Sequence, residues 1–188
     1  MKKITFKGIF VPTISLFVIC LVVALLLGFT NELTKDAIAE NQQKKADEAK
    51  QAVCSQAITF EGEKGLEIEV YRGFDKDGNL VGYAIPAKSK GYGGDVEIMV
   101  GFDTEGSITG VSIVSINETP GLGMNAQKDS FRSQFEGEVP KGGFSAKKSG
   151  EGVKKIDALT SATITSEAVS QAVNNAINVY NSLEGGGN

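Results

Sequence analysis

The sequence predicts an α+β protein with an N-terminal transmembrane helix and a stalk helix, followed by an antiparallel sheet of hairpins packed with C-terminal helices. Three observations support this prediction. Residues 8–31 carry no charged side chain. From Leu66 to Ile116, apolar and polar residues alternate with the period of two that is typical of strands. From Val169 to Leu183, apolar residues recur at intervals of three and four, as on one face of a helix.

The uncharged run of 24 residues is long enough to cross a bilayer. As a helix it would span roughly 36 Å, against a hydrocarbon core of about 30 Å. A cleaved signal peptide is the alternative, but its apolar region is usually ~7–15 residues long. No small-x-small cleavage site follows Leu27, and Ile19 before Cys20 argues against a lipoprotein. We therefore expect an uncleaved single-pass anchor in contact with membrane lipid.

The charges that flank the anchor predict its orientation. Lys2, Lys3 and Lys7 precede it without an acidic residue, so the positive-inside rule places the N-terminus in the cytoplasm. The rest of the chain would then be extracytoplasmic. Because the whole chain has a net charge of −4, and the body lacks an excess of basic residues, nucleic acid is not an expected partner.

A stalk helix is predicted after the anchor, because residues 31–57 are rich in Ala, Gln, Lys and Glu and contain no Gly or Pro. Its alanines could pack on a partner, although a plain solvated stalk is equally consistent with the sequence. The predicted organisation is a cytoplasmic N-terminus and anchor over residues 1–30, a stalk over 31–60 and a globular domain over 61–188.

Two acid-rich turns, at residues 75–78 and 103–106, each separate a pair of alternating runs and predict hairpins. Two hairpins imply a sheet of at least four strands. The turns are too short for a calcium loop and lack its ligand spacing. Further along, we expect a short helix over residues 125–135, a mobile loop over 137–152, a brief strand over 153–156 and a frayed tail over 185–188.

The composition restricts the chemistry. The chain has no His, and its two cysteines, Cys20 and Cys54, lie far apart in the sequence. Imidazole catalysis is thereby excluded, and neither a metal site nor a catalytic residue is predicted. Cys54 receives no role. Any redox or transfer chemistry would need a cofactor.

The most informative stretch is the hydroxyl-rich segment 157–166, directly before the C-terminal helix. Two interpretations are open. Thr165 or Ser166 could simply cap the helix. Alternatively, the helix N-terminus could hold a phosphate, since it offers free N–H groups and the positive end of the helix dipole.

A resemblance favours the second interpretation. Residues 160–163, Thr-Ser-Ala-Thr, with Thr165 shortly after them, resemble the flavinylation motif of the FMN-binding domain family, Ser/Thr-Gly-Ala-Thr followed by Ser or Thr. The resemblance implies that a flavin transferase attaches FMN through its phosphate to Thr163. It also assigns Thr160, Ser161, Ala162 and Thr165 to the cofactor site. Ser161 departs from the family pattern, which has glycine there.

Two glycine-rich segments resemble the same family. Residues 91–94, Gly-Tyr-Gly-Gly, precede a predicted strand, and residues 118–123, Glu-Thr-Pro-Gly-Leu-Gly, follow one. The resemblance implies that these segments line the isoalloxazine ring and that Glu118 or a backbone N–H tunes its potential. The residues assigned in this way are Tyr92, Gly93, Glu118, Thr119, Gly121 and Leu122.

The resemblance extends over essentially the whole chain and is greatest to the G subunits of Rnf-type complexes. It implies electron relay through the flavin within an ion-translocating ferredoxin–NAD oxidoreductase, with other membrane and peripheral subunits as partners and no independent catalytic centre. A component like the C subunits of sodium-pumping NADH:quinone reductases is one alternative. An anchored module that binds a non-covalent ligand, or a stand-alone flavoprotein, is another.

Overall fold

The computed structural model describes residues 6–63, 69–147 and 149–185, and the chain divides into two compact units over residues 1–44 and 45–188. A single helix, α1 (Phe6–Val53), runs through the first unit and into the second. It is long and apolar enough to cross a membrane. Its apolar side chains from Ile9 to Phe29 are exposed, as expected of a segment that has no protein core to face.

The sheet consists of five antiparallel strands in the order β1-β2-β3-β4-β5. This confirms the predicted fold class and both hairpins. The strands are β1 (Thr59–Glu63), β2 (Val70–Phe74), β3 (Leu80–Lys90), β4 (Asp95–Phe102) and β5 (Ile108–Ser115). The strand β1 was not predicted. The part of the first alternating run at Leu66 and Ile68 lies outside the described residues.

Turn chemistry explains the two acid-rich turns. Asp75 Oδ1 accepts the backbone N–H groups of Asp77 and Asn79, both at 2.8 Å. Asp103 Oδ1 accepts those of Glu105 and Ser107 at 2.9 and 2.8 Å. These carboxylates close their own hairpins.

The C-terminal helix α3 (Thr163–Gly185) covers one face of the sheet. Its apolar stripe, with Val169, Val173 and Ala176 fully buried, packs against Ile85, Phe102 and their neighbours. The periodicity of the sequence predicted this stripe.

The end of α1 covers the opposite face, where Ala49 and Val53 pack with Ala84 and Met99. Part of the alanine-rich face therefore packs on the chain's own sheet. Gly101 permits the close approach, because a Cβ there would collide with the carbonyl oxygen of Val53. The helix also ends before Ala57, where the stalk helix was expected to end. The division into anchor, stalk and domain remains a prediction.

Two predictions for the segment between β5 and α3 are wrong. The expected helix over residues 125–135 is broken into a 3₁₀ turn (Gly123–Gln127), a short helix α2 (Asp129–Arg132) and a second 3₁₀ turn (Ser133–Phe135). The expected mobile loop contains the strand β6 (Phe144–Ser145), which pairs in parallel with β7 (Lys154–Lys155). Phe144 is buried in the core, which fixes this segment.

Candidate cofactor site

The helix α3 begins at Thr163, inside the hydroxyl-rich stretch. The backbone N–H of Ser166 donates to the carbonyl of Ala162 at 3.0 Å and closes the first turn. The hydroxyl of Ser166 accepts the N–H of Leu159 at 2.9 Å and donates to the same Ala162 carbonyl. The prediction that Thr165 or Ser166 caps the helix is therefore wrong, because both residues lie within the first turn and Ala162 precedes it.

Ser161 makes the bend that delivers the chain to the helix. Its φ is 59°, the only positive φ of a non-glycine residue in the described part of the chain. Left-handed backbone costs an L-residue roughly 1–2 kcal/mol, whereas glycine adopts it freely. This geometry gives a physical reason for the glycine of the family motif at this position.

The bend places Thr163 at the exposed N-terminus of the 23-residue helix. Thr160 and Ser161 are less buried than Ala162, which lies in the protein interior. The N–H groups of a first helical turn have no partner within the helix and carry a partial positive charge. An anionic group on the Thr163 hydroxyl would thus meet donors and a favourable field.

Thr165 differs from the other hydroxyl residues of the predicted motif because it is only 1% exposed. Its hydroxyl oxygen lies 2.8 Å from the position that a Cβ on Gly123 would occupy, and Glu118 Oε2 lies 2.9 Å from that position. Gly123 therefore lets the loop after β5 pack directly on the first turn of α3. The buried hydroxyl of Thr165 faces this contact, and its role at the cofactor remains a prediction.

Glu118 joins the two glycine-rich loops. Its side chain is buried, and Oε1 accepts the backbone N–H groups of Tyr92 at 2.8 Å and Gly93 at 3.3 Å. The Asn117 amide adds a hydrogen bond to the Gly93 carbonyl at 3.5 Å. Three segments that are far apart in the sequence, residues 91–94, 117–124 and 160–165, thus meet in space.

The loop after β5 has its own internal turn. The carbonyl of Thr119 accepts the N–H groups of Leu122 at 3.1 Å and Met124 at 3.3 Å, and Gly121 has a φ of 79°. The Asn125 amide donates to the Gly121 carbonyl at 2.6 Å. Thr119 and Gly121 are exposed, so both remain accessible to a ligand.

Exposed apolar side chains concentrate on these segments. Outside α1, the described residues include four exposed large hydrophobic side chains, and three of them belong to the site: Tyr92 at 74%, Leu122 at 39% and Ile164 at 49%. The fourth is Ile58. Sequence analysis did not assign Ile164 to the site. The signal for Ile164 was an isolated apolar residue within a run of hydroxyl residues.

Glu167, in the second turn of α3, binds the segment over residues 145–147 to the start of this helix. Its buried carboxylate accepts hydrogen bonds from the hydroxyl of Ser145 at 3.0 Å and from the backbone N–H groups of Ala146 and Lys147 at 2.8 and 3.2 Å. Asn174 exchanges two hydrogen bonds of 2.9 Å with the backbone of Phe144. Together they fix residues 144–147 against α3.

Comparison with known proteins places this site in a family. Residues 91–178 match the FMN-binding domain, which includes all three segments, and residues 1–53 match the RnfG N-terminal region. The chain is 34% identical over 180 residues to the G subunit of the proton-translocating ferredoxin:NAD(+) oxidoreductase complex of Clostridium ljungdahlii, with 96% of each chain covered. It is 36% identical over 200 residues to the G subunit of the Na(+)-translocating ferredoxin:NAD(+) oxidoreductase complex of Acetobacterium woodii, again with 96% of each covered.

Among solved structures, the C subunit of the Na(+)-translocating NADH-quinone reductase from Parabacteroides distasonis is similar, with 25% identity and a TM-score of 0.48 over 60% of this chain and 59% of that chain. The two matches to G subunits exceed 30% identity over almost the full length of this chain and of each relative. The chain therefore belongs to the family of G subunits of ion-translocating ferredoxin:NAD(+) oxidoreductase complexes, whose members it resembles from the N-terminal helix to the FMN-binding domain.

Proposed function

We propose that this chain is a membrane-anchored flavoprotein that relays electrons as one component of an ion-translocating ferredoxin:NAD oxidoreductase complex. FMN would be held covalently by a phosphoester between its phosphate and the Thr163 Oγ1, so that the attached group has the mass of FMN less water. The observation that carries this proposal is the exposed Thr163 at the N-terminus of α3, beside segments that bear the exposed apolar side chains of Tyr92, Leu122 and Ile164.

The residues present fit both ends of FMN. The phosphate is an anion, and the first turn of α3 offers N–H donors and a positive dipole end to it. The isoalloxazine ring is large and flat, and the site supplies three exposed apolar side chains that it could cover. A helix N-terminus alone, or one exposed aromatic side chain alone, would fit only one end of FMN.

FMN supplies reversible oxidation and reduction by one or two electrons. The chain's own residues bind and orient it. Thr163 would act as the tether, and Glu118 fixes the position of the loop that carries Tyr92 through two hydrogen bonds. Gly123 lets the second loop rest against the same helix turn, so the loops that would contact the ring have fixed positions relative to the tether.

Membership of the family supports the proposed anchor and partners. Helix α1 would cross the membrane once, with the N-terminus in the cytoplasm and the FMN-binding domain outside. The other subunits of the complex would donate and accept the electrons. A flavin transferase would attach FMN, and a covalent bond would prevent loss of the cofactor from an extracytoplasmic site.

The decisive experiment measures covalent flavin on the full chain, produced in membranes together with the flavin transferase. We expect the denatured band to fluoresce under ultraviolet light and the intact mass to increase by that of FMN less water. Thr163→Val should abolish both signals. Thr104→Val is the matched control, because it removes an exposed threonine hydroxyl in the turn between β4 and β5, outside the three site segments, and it should retain the flavin.

Equal loss in the two variants would contradict Thr163 as the attachment site. A flavin that is bound but dialysable would instead support a non-covalent module. Co-purification of other subunits with the tagged chain separates the complex from a stand-alone flavoprotein.

A further inference from the structure

A groove lies beside the outer edge of β5, the edge that faces away from β4. It has a volume of about 440 Å³, and its walls are the last turns of α1, the outer edge of β5 and the side chain of Arg132. Ala52 on α1 is exposed, and because its side chain is small, the groove is shallow on the α1 side. No residue of the candidate cofactor site lines the groove.

The outer edge of β5 is open at Ile113. Because β5 is the last strand in the sheet order, only its inner side is paired with β4. Near its start, Ile108 pairs with Gly137, and the carbonyl of Val111 accepts a hydrogen bond from Arg132 Nη1 at 3.1 Å. The Val111 carbonyl therefore points outward.

Backbone groups of an antiparallel strand alternate in direction, so the N–H and C=O of Ile113 point outward as well. Among the described residues, no hydrogen bond reaches these two groups from the groove side. An exposed edge of this kind is a template for one further strand.

Arg132 gives the groove a charge preference. Its Nη2 lies 3.6 Å from Asp129 Oδ1, beyond hydrogen-bond distance, and that carboxylate is 87% exposed. Its Nε is buried and has no hydrogen-bond partner among the described residues. Of the three charged residues that line the groove, Lys45 and Arg132 are cationic and only Glu48 is acidic. A guanidinium whose Nη2 lacks a good acceptor favours a carboxylate.

We propose that this groove binds an extended acidic segment of another subunit of the complex, which adds a strand to β5 at Ile113 and places a carboxylate beside Arg132. The segment would supply the backbone partners that Ile113 lacks, and its carboxylate would replace the weak contact between Arg132 and Asp129. The proposal rests on the proposed function only in that the partner is a subunit of the same complex.

The test uses the complex purified through a tag on the full chain. Amide hydrogen exchange at Ile113 should be at least tenfold slower in the complex than in the isolated full chain in the same detergent. The photo-crosslinker p-benzoylphenylalanine in place of Ala52 should attach to an extended, Asp- or Glu-containing segment of a partner protein. The control position is Asn178, an exposed residue of α3 on the opposite face of the sheet, where the same segment should not be captured.

Substitutions of Arg132 test whether its positive charge binds the partner segment. Arg132→Gln should lower the crosslinking yield from position 52 by tenfold or more, and Arg132→Lys should restore part of it. An unchanged exchange rate at Ile113 would overturn the proposal, as would crosslinks to lipid alone. If the complex purifies with covalent flavin and Ile113 exchanges freely, only the groove proposal fails. If the tagged chain purifies without any partner protein, both the groove proposal and the proposed electron-relay function fail.

Discussion

Glu118 Oε1 lies 2.8 Å from the backbone nitrogen of Tyr92, although the two residues are 26 positions apart in the sequence. The same oxygen also accepts the N–H of Gly93. A buried carboxylate is thereby stabilised by the backbone of the loop that it fixes in place. This contact joins two glycine-rich loops that would otherwise be independent, and each side of it can be tested.

Glu118→Ala should destabilise the globular unit by about 1–3 kcal/mol, because two backbone N–H groups lose a charged acceptor. Pulse proteolysis in urea on the full chain in detergent measures the free energy of unfolding. Covalent flavin should decrease in parallel, because the loop that carries Tyr92 loses the hydrogen bonds that fix its position. Glu136→Ala is the control, because Glu136 is exposed, and it should change stability little. Equal effects of the two variants would contradict a specific role for Glu118.

Ser161→Gly should stabilise the chain by up to about 1 kcal/mol, since the left-handed conformation at φ 59° costs serine more than glycine. Part of the gain is offset because glycine has more conformational freedom in the unfolded chain. Ser161→Ala is the matched comparison and should lower stability or leave it unchanged. We also expect Ser161→Gly to retain flavinylation. A loss of flavin in this variant would show that the serine hydroxyl itself is needed.

Glu167→Ala should release residues 145–147 from α3, because the buried carboxylate accepts their hydroxyl and backbone N–H groups. Tryptic cleavage after Lys147 should accelerate by tenfold or more under native conditions. Glu151→Ala, at an exposed position of the same segment, should leave the cleavage rate near that of the unsubstituted chain. Unchanged protection of Lys147 in Glu167→Ala would mean that Phe144 and Asn174 hold the segment without Glu167.

Local sequence signals predicted the elements that depend on short-range patterns. The apolar stripe of α3 and the turns closed by Asp75 and Asp103 are of this kind, because periodicity and turn chemistry act over a few residues. The start of α3 was not predicted, since Thr163, Thr165 and Ser166 are all weak helix formers. It is stabilised by the link between Ser166 and Leu159, which no periodicity reveals.

The long-range contacts could not be inferred from pattern alone. The segment over residues 137–152 has the composition of a mobile loop, yet Glu167 and Asn174 hold it against α3 across more than 20 positions. The alanine face of α1 suggested packing on a partner, but not that Ala49 would pack on the chain's own sheet. The convergence of the three site segments was expected only from the family resemblance, because Glu118 and Gly123 carry no local signal for their partners.

Cys54 should resist alkylation in the folded chain. Cys54 is 4% exposed, and its thiol fills the space that side chains at Gly73 and Gly82 would occupy, with Sγ 3.1 and 3.2 Å from those Cβ positions. Burial raises the pKa of the Cys54 thiol, so the folded state favours the neutral form and holds less reactive thiolate at pH 8 than an ordinary cysteine does.

The measurement is the rate of iodoacetamide modification, followed by intact mass, on a Cys20→Ser chain so that only Cys54 reacts. We expect modification at least a hundredfold slower in the native chain than in urea. The native rate should increase as the pH is raised beyond the usual range of a cysteine pKa, because the thiolate forms only there. Rapid native modification at pH 8 would mean that the contact between the end of α1 and the sheet opens readily, since that contact is what buries Cys54.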